Sequence, residues 1–335
     1  MVQLSPGIVT REFDLTTVVP AVASTEGAIA GVFRWGPVLE RTLIDSEVKL
    51  VARFHKPTNF NAETFFTAAD FLSYGNKLYV TRVVSTTAYN AGLTDTQVLT
   101  RESANEQAVD FFARYPGAIG NSIGYSVCAT ASAYTGAIGE FAIAVGASSA
   151  TFDPSLTTAT ISVGDLIRIG KPSIGFQDLE VAAVTIDVPM NTGEITFTDR
   201  YKLADATEVT ATRFWKYYKL VSGAPTTNHA HIVVFDVDGG ASGVEGAILE
   251  VYSNIGILET AKLADGTNNY YKEVINGRSN WLYAGSNTLT AEVTPDYVEF
   301  AGGADGSDEA TISLAALAGG YDLYKDVEQV DVSLI

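Results

Sequence analysis

The chain has 335 residues, 47% hydrophobic and 18% charged, with 39 acidic against 21 basic side chains and a formal net charge of −18. Wholesale disorder is excluded, because it needs low hydrophobicity with high charge. A domain that lives on nucleic-acid phosphates should be basic, so that class is disfavoured too.

The acidity is uneven. Residues 1–90 carry 8 basic and 8 acidic groups, whereas residues 226–335 carry 4 and 17. A solvated acidic surface that keeps the chain soluble is the simplest account. Cys128 is the only cysteine, so no intrachain disulfide can form, which fits assembly in a reducing cytoplasm. No run approaches the ~18 apolar residues of a spanning helix. The start, Met1 to Gly7, lacks the basic-then-apolar build of a signal peptide, so a cytoplasmic product is expected.

Residues 4–13 open with a turn signal, Ser5-Pro6-Gly7, and then read as an extended strand through Ile8, Val9, Arg11 and Phe13. Such an arm buries little alone and wants a partner sheet. Residues 27–33 form a short apolar run suited to a buried strand. Val48, Leu50, Val51 and Phe54 then fall at helical spacing, with Asp45 or Ser46 as the N-cap. The spacing predicts a second helix over 62–74, with Gly75 as a left-handed C-cap. Residues 78–84 then read as a strand, completing an α/β block. A short helix is expected over 104–113, stopped by Pro116-Gly117.

From 121 to 215 the pattern is all-β. The runs 141–145, 159–163, 166–169, 179–186 and 195–198 are separated by Gly, Asp, Pro and Ser. Cys128 falls in one such strand, as a packed small hydrophobe. Residues 231–235 form a strong strand, 236–240 a turn, and 247–252 a returning strand. Residues 268–276 suit a helix, 281–284 a strand, 302–306 a loop, and 307–318 a helix with acids in its first turn. Residues 329–335 alternate like a strand and stop at their most apolar point, which reads as a chain cut inside a domain.

The most tempting chemical motif is Ile232 to Gly239. It looks like the first motif of haloacid-dehalogenase-type phosphatases, with Asp236 as nucleophile and Asp238 as acid/base. A hairpin turn accounts for it better, since Gly240 follows the Gly and a strand returns within a few residues. His229 and His231 share a strand face, but no third His or Cys stands near them. Asp265-Gly266-Thr267-Asn268-Asn269 lacks the spaced acids of a calcium loop. No catalytic, cofactor-binding or metal residues are therefore assigned, and no cofactor is expected. A third possibility, an exported surface-array or adhesin-like β protein, suits the acidity but lacks a visible export signal.

Four segments together resemble the tail sheath proteins of contractile-tailed bacteriophages. They are Leu4 to Ile8 with Arg11-Glu12; Gly31 to Pro37 followed by Glu47 to Phe54; Phe71 to Val84; and Ala113 to Ile123. A weaker match runs through Asn269 to Asn276. The resemblance covers roughly 1–130 and 226–335. It implies a structural, non-enzymatic subunit of the virion, assembled in the host cytoplasm. Such subunits stack as six-membered rings around a tail tube and contract to drive the tube through the host envelope. Partners would be further copies of the chain, the tube protein, and baseplate and tail terminator proteins, with no nucleic acid and no direct membrane insertion. Leu4, Ser5, Pro6, Gly7, Ile8, Val9, Arg11 and Phe13 would form an arm that joins a neighbouring subunit.

The expected fold is multidomain, mixing α+β and α/β. An extended N-terminal arm (1–20) leads into an α/β domain (21–88 plus 286–335, incomplete at its C-terminus). An antiparallel β domain with a helix (89–131 plus 226–285) follows, carrying an inserted β-rich protrusion (132–225).

Overall fold

The computed structural model describes residues 26–153, 161–187, 192–203, 206–289, 297–326, 328, 330 and 332–334. The arm expected over 1–20 lies outside them. The first sheet comprises β1 (Gly27–Val32), β2 (Thr42–Ile44) and β3 (Leu78–Val83), with α1 (Glu47–Phe54) and α2 (Ala62–Tyr74) between β2 and β3. β1 pairs with β3 in parallel, from Gly27 opposite Leu78 to Val32 opposite Val83. β2 pairs antiparallel with the other side of β3, giving the order β1-β3-β2.

Small residues in β1 let the layers approach. A Cβ on Gly31 would lie 2.4 Å from Cγ2 of Thr64 on α2. Phe33, Leu50, Phe54, Phe65 and Val80 form the core beneath the helices. Burying each such side chain contributes about 1.5–3 kcal/mol.

The helix ends differ from expectation. Ser46 occupies the N-cap of α1, but its hydroxyl donates to Asp45 and satisfies no helix N–H. Gly75 is extended (φ −125°), so it is not a left-handed cap. His55, which ends α1, carries the positive φ instead.

The chain continues through a one-turn α3 (Arg101–Ala104) to β4 (Phe111–Ala113) and β5 (Ile123–Cys128). The helix expected over 104–113 is thus corrected. Phe111–Ala113 is a strand because it pairs with Leu282–Ala284, a contact invisible to local periodicity. Cys128 is buried, as expected.

After α4 (Ala131–Tyr134), six strands close into a barrel: β6 (Thr135–Ile143), β7 (Ser149–Phe152), β8 (Leu166–Lys171), β9 (Gly175–Asp187), β10 (Thr192–Phe197) and β11 (Ala206–Phe214). β10 shows the alternation of a one-sided core, with Ile195 and Phe197 inward and Glu194 and Thr196 outward. Residues 161–163, expected in a strand, are irregular. At the barrel's base Arg213 binds Asp165 through two bonds of 2.7 and 3.1 Å, both side chains fully buried.

β12 (His229–Asp236) and β13 (Ile248–Gly256) return to the second sheet. α5 (Tyr271–Arg278), β14 (Leu282–Ala284), β15 (Tyr297–Glu299) and α6 (Leu314–Tyr321) complete the described elements. The sheet order is β13-β12-β5-β15. Both faces of β12 are covered, which explains its unbroken apolar run. Ile232 and Val234 face the core of Tyr125, Tyr271 and Ile275. Val233 and Phe235 face Trp215 and Tyr217 at the barrel's neck.

α6 packs on the face of β1 and β3 opposite α1 and α2, where Ala316 and Leu317, with Ile312 just ahead of the helix, cover Val32 and Val83. It starts later than the expected 307, capped by Ser313, whose hydroxyl accepts from the Ala316 N–H at 3.2 Å. The acids before it serve elsewhere: both carboxylate oxygens of Glu309 accept from α2, at the N–H groups of Glu63 and Thr64 (3.0 Å each). That placement suits the positive end of a helix. Among the described residues no helix is long and apolar enough to cross a membrane.

Candidate functional site

The aspartates of the strand-end motif are occupied with holding a loop. Buried Asp236 accepts from the N–H groups of Gly239 (3.0 Å), Ala241 (3.1 Å) and Ser242 (2.6 Å), and from the Ser242 hydroxyl (2.7 Å). Asp238 accepts from Gly240 N–H at 2.9 Å. A carboxylate saturated by four donors within its own turn is poorly placed to attack phosphorus, so the geometry favours the hairpin over the phosphatase motif.

His231 is equally committed. Its Nε2–H donates to Gly223 O at 3.0 Å and its Nδ1 accepts from Asn254 N–H at 2.9 Å. Burial pushes its pKa down, opposed by the Gly223 bond. Among the described residues no group of three or more His, Cys, Asp or Glu is placed to hold a metal ion.

What the fold does bring together is three of the four segments singled out in the sequence. They meet at Arg82, which is wholly buried on β3. Its Nε donates to Phe33 O (2.7 Å) and Nη1 to Gly36 O (2.9 Å). Its Nη2 is shared between Pro116 O (2.7 Å) and Arg34 O (3.3 Å). Burial pushes the guanidinium down to about 10, with Asp305 and Tyr115 opposing the shift. It therefore stays charged at neutral pH. One cation thus crosslinks the β1 end, the 33–36 turn and the 116–117 loop of the second sheet.

The loop is shaped to allow this. Gly117 has φ +146°, and a Cβ there would lie 2.8 Å from Arg34 O and 3.1 Å from Asp305 Oδ1. Asp305 accepts from Ala118 N–H at 2.7 Å. Beside the hub, Trp35 packs edge-on against Tyr115 and stacks on Trp281, each with ring centroids 5.3 Å apart. Arg82 lies inside the segment Phe71 to Val84, where residue type alone assigns it no role. The available signal was a cation inside the apolar run Leu78 to Val84.

The outer side of β1 is the second notable feature. Among the described residues only Leu334 meets it, in a parallel bridge where Leu334 O accepts from Ala28 N–H at 2.9 Å. An open groove of about 700 Å³ runs alongside, lined by Gly27, Ile29, Phe71, Tyr74, Leu78 and Leu334. Leu4, Ser5, Pro6, Gly7, Ile8, Val9, Arg11 and Phe13, expected to form the arm, lie outside the described residues.

No protein-family model matches the chain. A tail sheath protein of Salmonella phage ViI is 28% identical over 337 aligned positions, covering 90% of this chain and 52% of its own. A tail sheath protein of Vibrio phage KVP40 is 41% identical over 92 positions, 27% of this chain and 14% of its own. Among solved structures, a sheath tail protein from Desulfitobacterium hafniense aligns over 98% of this chain and 44% of its own, at 8% identity and a TM-score of 0.39. The chain is therefore similar to phage tail sheath proteins over nine-tenths of its length, in agreement with the resemblance read from its motifs. It spans about half the length of the Salmonella phage ViI protein.

Proposed function

We propose that the chain is a structural, non-enzymatic subunit of a phage contractile tail sheath, acting within the virion tail after assembly in the host cytoplasm. The observation that carries this reading is the similarity to a phage tail sheath protein along 90% of the chain. Subunits stack as six-membered rings around the tail tube and contract to drive the tube through the host envelope. The partners are further copies of the chain, the tube protein, and baseplate and tail terminator proteins.

In this reading Arg82 ties the two sheets to each other at one point of their joint while neighbouring subunits shift past. The barrel is the surface protrusion, and the domain division follows the segments 21–88 with 286–335, 89–131 with 226–285, and 132–225. Leu4, Ile8, Val9 and Phe13 anchor the arm in a neighbouring subunit by adding a strand to its sheet. Backbone hydrogen bonds of that kind survive rotation of the rest of the subunit.

Two experiments test the reading. Immunogold electron microscopy of virions, with an antibody raised against this chain, should label the contractile tail regularly. Label confined to fibres or to a cell surface would refute it. Deleting residues 1–17 should abolish tube-like polymers while leaving the melting temperature unchanged, and normal polymerisation would remove the arm from the account.

A further inference from the structure

The two sheets are joined unevenly, and His55 sits where the joint is thin. On the Arg82 side, carbonyls from both units converge on one guanidinium. Elsewhere along the joint, one crevice of about 370 Å³ lies between β2, α1 and Asn280–Trp281, and a second of about 370 Å³ lies between α1 and the 239–243 loop, with Trp35 and Trp281 lining both. Across the second crevice the polar link among the described residues is a single bond, from His55 Nε2–H to Ala241 O at 3.1 Å.

Both ends of that bond are unusual. Ala241 is held in place by the buried carboxylate of Asp236, so its carbonyl is a fixed target. His55 has φ +68° and ψ 173°, a combination that is essentially confined to glycine. Its Nδ1 is buried with no hydrogen-bond partner among the described residues. A non-glycine residue stays in such a conformation only when its surroundings hold it there. At His55 the contact that does so reaches into the other unit.

We propose that His55 is a strained latch: its bond to Ala241 holds the α1 side of the first unit against the second, and its release lets the seam at Trp281 open about the Arg82 hub. The device belongs to the single chain, so it does not depend on the sheath assignment. Release exchanges one hydrogen bond for relief of backbone strain. A packed seam with two such arrangements is the usual basis of a conformational switch.

The test uses the 335-residue chain with spin labels at two exposed positions, one in each unit, Val48→Cys on α1 and Val244→Cys just after the loop. Cys128 is wholly buried and stays unlabelled. Pulsed electron resonance should give one narrow distance distribution with His55 present. A second, longer-distance population should appear in both His55→Gly and His55→Ala. Because Gly accepts the backbone conformation and Ala does not, His55→Gly should melt above His55→Ala by roughly 2–4 °C. Unchanged distances in both variants would overturn the latch. A His55→Gly chain melting at or below His55→Ala would overturn the strain.

Discussion

The barrel and the first sheet treat their edges in opposite ways. Every barrel strand is paired on both sides, and its ring closes where β9 meets β10. A buried ion pair, Arg213 with Asp165, joins two of its segments at 2.7 and 3.1 Å. The first sheet ends at β1, where only Leu334 adjoins it among the described residues, and its buried cation reaches into the neighbouring sheet for an acceptor. A closed sheet can be complete in itself, whereas an open one draws stability from what lies beside it. The contrast is between a ring whose strand edges are all paired and a sheet whose outer edge, among the described residues, is met at Leu334 alone.

The largest expected effect falls on the joined body. Arg82→Ala leaves three buried carbonyl acceptors and a part-buried fourth without their donor, a loss of about 4 kcal/mol or more. Denaturant titration should show the two sheets losing stability together while the barrel persists as a separate later transition. A single transition at the original midpoint would erase the contrast.

A smaller effect concerns the neck. His231 stacks on Trp215 at 6.2 Å and is neutral when folded, because burial pushes its pKa below that of the unfolded chain. Its contribution is therefore complete above the ordinary histidine value and lost as pH falls below it, since protonated Nδ1 can no longer accept from Asn254. Melting temperature should fall between about pH 7.5 and about pH 5. His55, also pushed down by burial, adds to the same slope, so His231→Gln should flatten the curve only in part. A slope unchanged in His231→Gln would remove the neck from the explanation.

The smallest effect tests autonomy. Thr135 lies opposite Phe214, so the barrel's ends are adjacent. Replacing residues 136–213 by a short glycine-rich turn should leave the melting of the remaining sheets almost unchanged, and should keep Trp215 in its buried environment by fluorescence. Collapse of the remainder would show that the barrel supports the body after all.

How much of this was legible depended on the range of the interactions. Residues 27–32, 47–54, 62–74 and 78–83 were readable because apolar spacing and small-residue runs are local signals. The alternation along β10 announced a β module in the same way. Phe111–Ala113 was misread because its partner strand lies about 170 residues downstream. The acids at 308–309 looked like the start of α6, yet Glu309 caps α2 across the fold. Asp236 resembled a nucleophile because an Asp-x-Asp-Gly stretch after an apolar strand serves loop closure as readily as catalysis. Arg82 stayed unassigned because its four acceptors are backbone carbonyls, which leave no mark on residue type.

The barrel's adjacent ends bear on the order in which the chain acquires its structure. Cys128 on β5 pairs with His231 on β12, a closure spanning roughly a hundred residues if the chain between them is loose. Once the barrel has formed, with Thr135 beside Phe214, the remaining slack is about twenty residues, and the entropic cost of that closure drops by about 1 kcal/mol. A barrel that condenses first turns the central pairing of the second sheet from a distant encounter into a nearly local one, and contacts of shorter range form faster.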